Sequence, residues 1–514
     1  MTGVDGENQL RRAVISDMLR RNAQRQPSKP AVIERNADGS RREVSYRELN
    51  NYVNMLARRW AADGLEPRSV VAGIGKNGID LIAAYFATMK CGASFTMLNH
   101  AHTVDELRYQ LSHARPSIVV ARNAAQSPIA GLVDGPSLVS LENGVGESSQ
   151  DVFAELDTTI EEEWTAAIVY TSGTESHPKG VELTHRNFMI ATTPAWSYEG
   201  YLRNSDRFLL LAPIHTMAGI GTVTNALSIG ATLVVLDTTD ADVVLATIEE
   251  ERISNMSQTP TFYRRMVESQ RFANTDLSSL EQCHTYGGLN QVGVFEALVA
   301  KVPGLWWATY WGQSELSQLG SIGWFRSLTD IPGGDLRWIG VPTPHLEVRV
   351  VDEDFNDVEV GEMIVRSPAV MKGYRDNPER TADTLRGGWL HTGDIVRRDE
   401  EMNLFFYDRK KDVIKTGGMN VSSLEVEQAI LEVSGVLEVA VFGCVDDVWS
   451  EAVVACVVPK PGAIVEGTTV IAHCKSRLAG YKVPKRVHLV ESLPKDLQGK
   501  IRKRVLRDEY ESVR

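Results

Sequence analysis

Cysteine is scarce in this chain of 514 residues: Cys91, Cys283, Cys444, Cys456 and Cys474 are scattered without metal-ligand spacing. That pattern excludes a zinc ribbon or a disulfide framework and fits a reducing compartment with mostly buried thiols. Positive charge is not in excess either. A net charge of −13 argues against a nucleic-acid-binding surface. No apolar run is long enough to span a bilayer; the longest, near Leu81–Leu98, is broken by Lys90, Gly92 and Ser94. The amino terminus is polar and has no apolar signal core. There is no Walker G-x-x-x-x-G-K-[ST] and no strong fixed-period repeat. A cytoplasmic protein without nucleic-acid or membrane partners is expected. What is present is ordinary globular composition, 24% charged and 43% hydrophobic, in a chain too long for one compact core.

Over the first ~400 residues short apolar runs alternate with longer amphipathic ones, which implies α/β layers and largely parallel sheet. Strands are expected at Ser69–Ile74, Ser117–Ala121, Ala166–Tyr170, Phe208–Leu211 and Ala231–Leu236, and helices at Ile79–Met89 and Thr103–His113. After about Leu346 the pattern changes. Leu346–Val351 and Glu362–Arg366 read as strands, and the charged run Asp408–Asp412 reads as a solvated linker. Beyond it, Ser422-Ser-Leu-Glu425 predicts a capping box and a helix to about Val433. Strands at Leu437–Gly443 and Ala452–Val458 and a helix at Thr468–Leu478 complete a small α+β domain. The expected plan is a large multi-layer α/β domain at 1–408, a hinge at 409–412 and a small mobile domain at 413–514.

Gly73-Ile-Gly75-Lys-Asn-Gly78 matches a dinucleotide fingerprint. No acid for a ribose follows at the required distance, so an ordinary strand-to-helix turn is the better reading. The run Tyr170-Thr-Ser-Gly-Thr-Glu-Ser-His-Pro-Lys-Gly180 is richer. Backbone amides and hydroxyls at Thr171, Ser172, Gly173 and Thr174, with the ammonium of Lys179, can wrap polyphosphate. A flexible surface turn is the plain alternative. Tyr310-Trp-Gly-Gln-Ser-Glu315 adds aromatic surface, a hydroxyl at Ser314 and a carboxylate able to hold a metal. Trp389-Leu-His-Thr-Gly-Asp394 places an aspartate after a glycine turn, able to accept from ribose hydroxyls. Lys500 follows Gly499 in a polar loop and, by itself, reads as a solvated base.

In this order and at these separations the motifs resemble the acyl-adenylate-forming superfamily. That superfamily comprises acyl- and aryl-CoA ligases, luciferase-like enzymes and the adenylation domains of peptide synthetases. The resemblance runs from the helix near Asp17 to Lys500. It implies ATP, AMP, coenzyme A and Mg²⁺ as cofactors and a small carboxylic acid, or its adenylate, as the partner. It implies that Lys500 reaches the acyl carboxylate, Glu315 holds Mg²⁺, and Asp394 and Arg409 hold the ribose. Trp311 would stack on adenine. His215, Gly287 and Gly288 would line the acyl site, Lys411 would be the hinge, and Gly417 and Gly418 would border the pantetheine tunnel. A satisfied half-buried histidine is the plain alternative for His215. A homodimer is the base-rate expectation.

One stretch departs from the pattern. Glu175 and Ser176 stand where the family's loop carries threonine and glycine. A carboxylate ~5 Å from one phosphate charge costs about 1–3 kcal/mol. The expectation is an acyl-CoA ligase with two readings of this loop: either its adenylation half is impaired and it mainly thioesterifies a preformed acyl-adenylate, made by a separate adenylating enzyme, or Glu175 points to solvent or pairs with a nearby base and ATP use is kept. No aspartate lies near Ile214-His215 to grip an ammonium group, and no carrier domain follows before Arg514. Both favour a non-amino acid and a free thiol over the alternatives, a carrier-loading enzyme or an inert adenylate-binding protein. Gly219, Gly221, Gly287 and Gly288 hint at room for a bulky hydrophobic acyl group.

Overall fold

The computed structural model describes residues 7–122, 129, 131–132, 137–141, 153–171, 178–197, 202–288, 290–446, 448–495 and 501–511. The chain divides by packing into two compact units. The larger holds residues 1–347 and 365–390, the smaller residues 348–364 and 391–514.

Two sheets organise the larger unit. One has nine strands, with a central parallel run of Trp306–Trp311, Gln282–Thr285, Asn255–Gln258, Arg207–Leu210, Thr232–Leu236 and Pro30–Arg35. The other has seven, with Ser94–Leu98, Val70–Ile74 and Ile118–Ala121 parallel at its centre. These strands are continuous β-branched and aliphatic runs, as sheets covered on both faces require. The Ile79–Lys90 helix is buried at every residue and touches strands of both sheets. A helix apolar all round belongs inside. Helix Met217–Ile229 is almost as buried, and one core cluster joins both helices to both sheets. The layered α/β plan read from the sequence is therefore the observed one.

The glycine turn at Gly73–Gly78 links strand Val70–Ile74 to helix Ile79–Lys90, as its simpler reading requires. The amide of Ile79, at the helix start, donates to Glu34 Oε2 at 3.0 Å. A buried carboxylate thus holds the place an anion would need.

The smaller unit is built on a four-stranded sheet, in which Leu390–Arg398 and Leu404–Arg409 run antiparallel, and a five-stranded sheet that includes Val436–Asp446 and Ser450–Pro459. Ser422 caps helix Ser423–Leu431 by accepting from the Glu425 amide at 3.1 Å. The expected reciprocal half of that box is replaced: Glu425 binds Lys482 at 2.6 Å. The charged run is exposed at Lys410 and Lys411 but not at its first residue. Asp408 ends up 2% exposed and accepts from the Ser423 amide and hydroxyl at 2.6 and 2.7 Å. This tie joins strand Leu404–Arg409 to the helix at Ser423–Leu431 within the smaller unit.

Candidate active site

Strands Thr165–Thr171 and Lys179–Thr184 form an antiparallel hairpin whose last register pair is Thr171 opposite Lys179. Directly opposed residues project to the same face. The tip residues expected to wrap phosphate, Ser172, Gly173 and Thr174, lie outside the described residues, as do Glu175 and Ser176. The hairpin base is braced from both sides. Tyr170 shares a hydrogen bond with His113 Nδ1 at 2.8 Å, and His113 stacks on Tyr109. Strand Gly373–Tyr374 pairs along the outer edge, opposite Glu182 and Val181. Arg375 then donates its amide to Gly180 O at 2.8 Å and its guanidinium to Glu182 at 3.0 Å.

Glu315 sits in the 3-10 turn Ser314–Leu316, just after strand Trp306–Trp311. Its carbonyl accepts from the Met371 amide at 2.8 Å, and its Oε1 accepts from the Tyr374 hydroxyl at 2.8 Å. The Lys179 ammonium lies 5.5 Å from the centre of the same tyrosine ring. Tyr374 thus brings the two predicted charges, Lys179 and Glu315, to one aromatic ring. It was not among the residues picked from the sequence. Its only local signal is the Gly373-Tyr374 pair ahead of Asn377-Pro378. Ser314 shares the turn of Glu315, half-buried. Trp311 is buried, and a Cβ on Gly320 would fall 2.5 Å from its ring. Gly320 packs directly against that ring.

Magnesium is held through one or two carboxylates, with phosphate oxygens and water supplying the rest. Glu315, fixed at its backbone and at one oxygen, fits that requirement. No group of three or more metal-ligating side chains occurs among the described residues.

His215 lies in the loop between strand Arg207–Leu210 and helix Met217–Ile229. Asn77, from the glycine turn of the other sheet, pins this loop: it donates to Ala212 O at 3.0 Å and accepts from the Ile214 amide at 2.9 Å. Burial, and then the neighbouring His102 and His100, push His215 down to about 4. The imidazole is neutral at pH 7. Gly287, with φ of 71°, follows strand Gln282–Thr285, and a Cβ there would meet nothing within 4 Å. Gly288 backs on to Pro260. Tyr286 stacks on Tyr310 with ring centres 5.2 Å apart.

The other two glycines do not make room. A Cβ on Gly219 would fall 2.1 Å from Pro213 O, and one on Gly221 would fall 2.1 Å from Gln318 Oε1. Both are packing glycines and, contrary to expectation, leave no open space beside them.

In the smaller unit Asp394 and Arg409 are register partners on adjacent strands, Leu390–Arg398 and Leu404–Arg409. They form an ion pair at 2.8 Å, with Asp394 fully buried and the Arg409 side chain 37% exposed. Lys410 pairs with Glu362 at 2.9 Å. Lys411 is exposed. Gly417 and Gly418, with φ of 57° and 77°, form the two-residue turn between strands Ile414–Thr416 and Met419–Val421. Positive φ at both positions is what such a hairpin demands. Trp449 packs on Gly417 and accepts its amide at 2.7 Å, and Lys485 lies over the indole at 4.8 Å. Lys500 lies outside the described residues. Lys495 and Ile501, both described, pair in an antiparallel bridge. Lys503 anchors the following helix through Glu427 at 2.8 Å.

A model of the AMP-binding enzyme family matches residues 19–375, and one of the AMP-binding enzyme C-terminal domain matches residues 425–500. A feruloyl-CoA synthase from an Amycolatopsis species is 32% identical over 476 residues, covering 91% of this chain and 94% of that protein. An indoleacetate–CoA ligase from Aromatoleum aromaticum is 31% identical over 508 residues, covering 95% and 96%. The crystal structure of ATP-bound MatB from Rhodopseudomonas palustris superposes with a TM-score of 0.85 at 26% identity, covering 97% of this chain and 99% of that one.

Proposed function

Because this chain belongs to the AMP-binding enzyme family and is an acid–thiol ligase, we propose that it makes the coenzyme A thioester of a non-amino, ring-bearing carboxylic acid through an acyl-adenylate. The observation that carries this reading is the grouping of Lys179, Tyr374 and Glu315 at the base of the hairpin. The ring-bearing class follows from relatives named for feruloyl and indoleacetate substrates.

A carboxylate is a poor electrophile because its leaving group would be oxide. Transfer to AMP supplies a good leaving group, which a thiol then displaces. Forming the anhydride brings two anions together, so fixed cations must offset their repulsion. Lys179 at the hairpin, and Lys500 from the smaller domain, are assigned that role. A magnesium ion held at Glu315 would share the phosphate charge. Arg409, the exposed half of its ion pair, is the part of that pair a ribose can reach. His215 stays neutral beside the acyl group, so it orients without adding charge. The residues beyond 412 turn about 409–412, with Lys411 in the hinge, and present Lys500 or the Gly417–Gly418 turn in succession.

Glu175 and Ser176 set the balance between the two half-reactions. A carboxylate beside the β- and γ-phosphates opposes ATP and leaves the single phosphate of an adenylate less affected. The enzyme is therefore read as weak in adenylation and competent in thioesterification. ATP–pyrophosphate exchange with ring-bearing acids, run beside thioester formation from synthetic acyl-adenylates and coenzyme A, tests this. Fast exchange sinks the imbalance; no thioester from any adenylate sinks the ligase reading.

A further inference from the structure

The turn after Glu315 holds one side chain at the cost of backbone strain. Ser317 and Gln318 have φ of 57° and 107°, values that residues other than glycine rarely adopt and that cluster at functional sites. Ser317 is fixed by its hydroxyl on Ala369 O at 2.8 Å. The carbonyl of Gln318 comes so close to Gly312 that a Cβ there would fall 1.4 Å away. The outcome is a glutamine laid along helix Met217–Ile229. Its Oε1 occupies the space beside Gly221 and accepts from Asn225 Nδ2 at 3.2 Å.

Gln318 is 8% exposed and Asn225 4%. Each amide offers both an acceptor and a donor group, and one bond between them leaves a donor and an acceptor over, whichever way the amides are turned. Gln318 Nε2 has no hydrogen-bond partner among the described residues. Neither Gln318 Nε2 nor Asn225 Oδ1 is sealed off from solvent, so each can face a bound molecule. Their surroundings belong to the acyl side of the molecule. Tyr310 packs in the same core cluster as Met217, Ile220 and Val223 of the helix, and its hydroxyl bonds Ser257 at 2.9 Å. Tyr286, stacked on Tyr310, leads directly to the open position at Gly287.

We propose that Gln318 and Asn225 select an acid carrying a neutral hydrogen-bonding group, a hydroxyl, ether or keto oxygen, away from its carboxylate. The inference rests on the acyl-CoA ligase reading and gives it a substrate class. Amides bring no charge to balance a second carboxylate or an ammonium, so a charged substituent is disfavoured. Sites built to bond a substrate hydroxyl discriminate strongly against the analogue that lacks it.

The test uses the full-length protein, coenzyme A and synthetic adenylates of phenylpropenoic, phenylacetic and cyclohexylacetic acids, each with and without a ring hydroxyl. The expected result is at least about tenfold higher kcat/KM for the hydroxylated member of at least one pair. In Asn225→Leu, and independently in Gln318→Met, that ratio falls toward one. Equal rates within every pair, or a ratio unchanged in both variants, overturn the inference while leaving the ligase reading standing. No thioester from any adenylate overturns both.

Discussion

The hydroxyl of Tyr374 donates to Glu315 Oε1 at 2.8 Å while the Lys179 ammonium stands 5.5 Å from the same ring. Burial, and then the adjacent Glu315, raise the Tyr374 phenol far above its usual value, so it stays protonated and keeps donating. One neutral side chain thereby fixes a carboxylate and stands beside a cation.

Replacing Tyr374 by phenylalanine removes the hydroxyl and keeps the ring. A hydrogen bond to a charged group is worth about 1.5–3 kcal/mol. The ATP-dependent thioester-forming rate should therefore fall at least about tenfold. The Mg²⁺ concentration for half-maximal rate should rise, with little change in the thermal midpoint. An unchanged Mg²⁺ dependence would remove Glu315 from metal binding.

The double substitution Glu175→Thr, Ser176→Gly should raise ATP–pyrophosphate exchange by at least about tenfold, the equivalent of about 1.4 kcal/mol recovered at the phosphates. The rate from a preformed adenylate should move much less. Equal gains in both assays would place Glu175 away from the pyrophosphate.

Acid should weaken the larger unit. His185 and His284 are fully buried, and desolvation pushes each down to about 3 from 6.5. Between those values the unfolded chain binds the proton and the folded chain does not, so stability is lost as pH falls from 6.5 toward 3. Each histidine should cost about 1–2 kcal/mol between pH 7 and pH 5. Neither ring nitrogen of His185 is hydrogen-bonded among the described residues, so His185→Leu should flatten part of this dependence. Denaturant melts at the two pH values give the measurement.

Lys503 sits between Glu427 and Asp408, both drawn toward the neutral form by burial and held back by this lysine. Lys503→Met should destabilise the smaller unit by about 3–5 kcal/mol, because two buried carboxylates lose their counter-charge. Adding Glu427→Gln to that variant should return part of the loss. Thermal unfolding followed in both variants decides it, and additive losses would deny the coupling.

The elements were legible where apolar period alone fixes them. The helix expected at Ile79–Met89 is Ile79–Lys90, and the strand expected at Ala231–Leu236 is Thr232–Leu236. The site was legible as a set of polar residues next to turns, because glycine and hydroxyl side chains mark such places locally. Tyr374 was not, since its role comes from pairing with Val181, almost two hundred residues earlier in the chain. Gly219 and Gly221 misled for the same reason: whether a missing Cβ leaves space depends on Pro213 and Gln318, which no local pattern reveals. Asp408 misled in the opposite sense. A run of charges reads as solvated, yet Ser423 offers two donors that make burial tolerable.

Asn77 holds the His215 loop only by main-chain atoms, the carbonyl of Ala212 and the amide of Ile214. Such a clasp is indifferent to which side chains the loop carries. Ala212 and Ile214 are also buried in the core, so the loop is moored twice, by main chain to Asn77 and by side chains to the interior. The backbone that carries His215 is thereby set from across the molecule, by a turn of the other sheet.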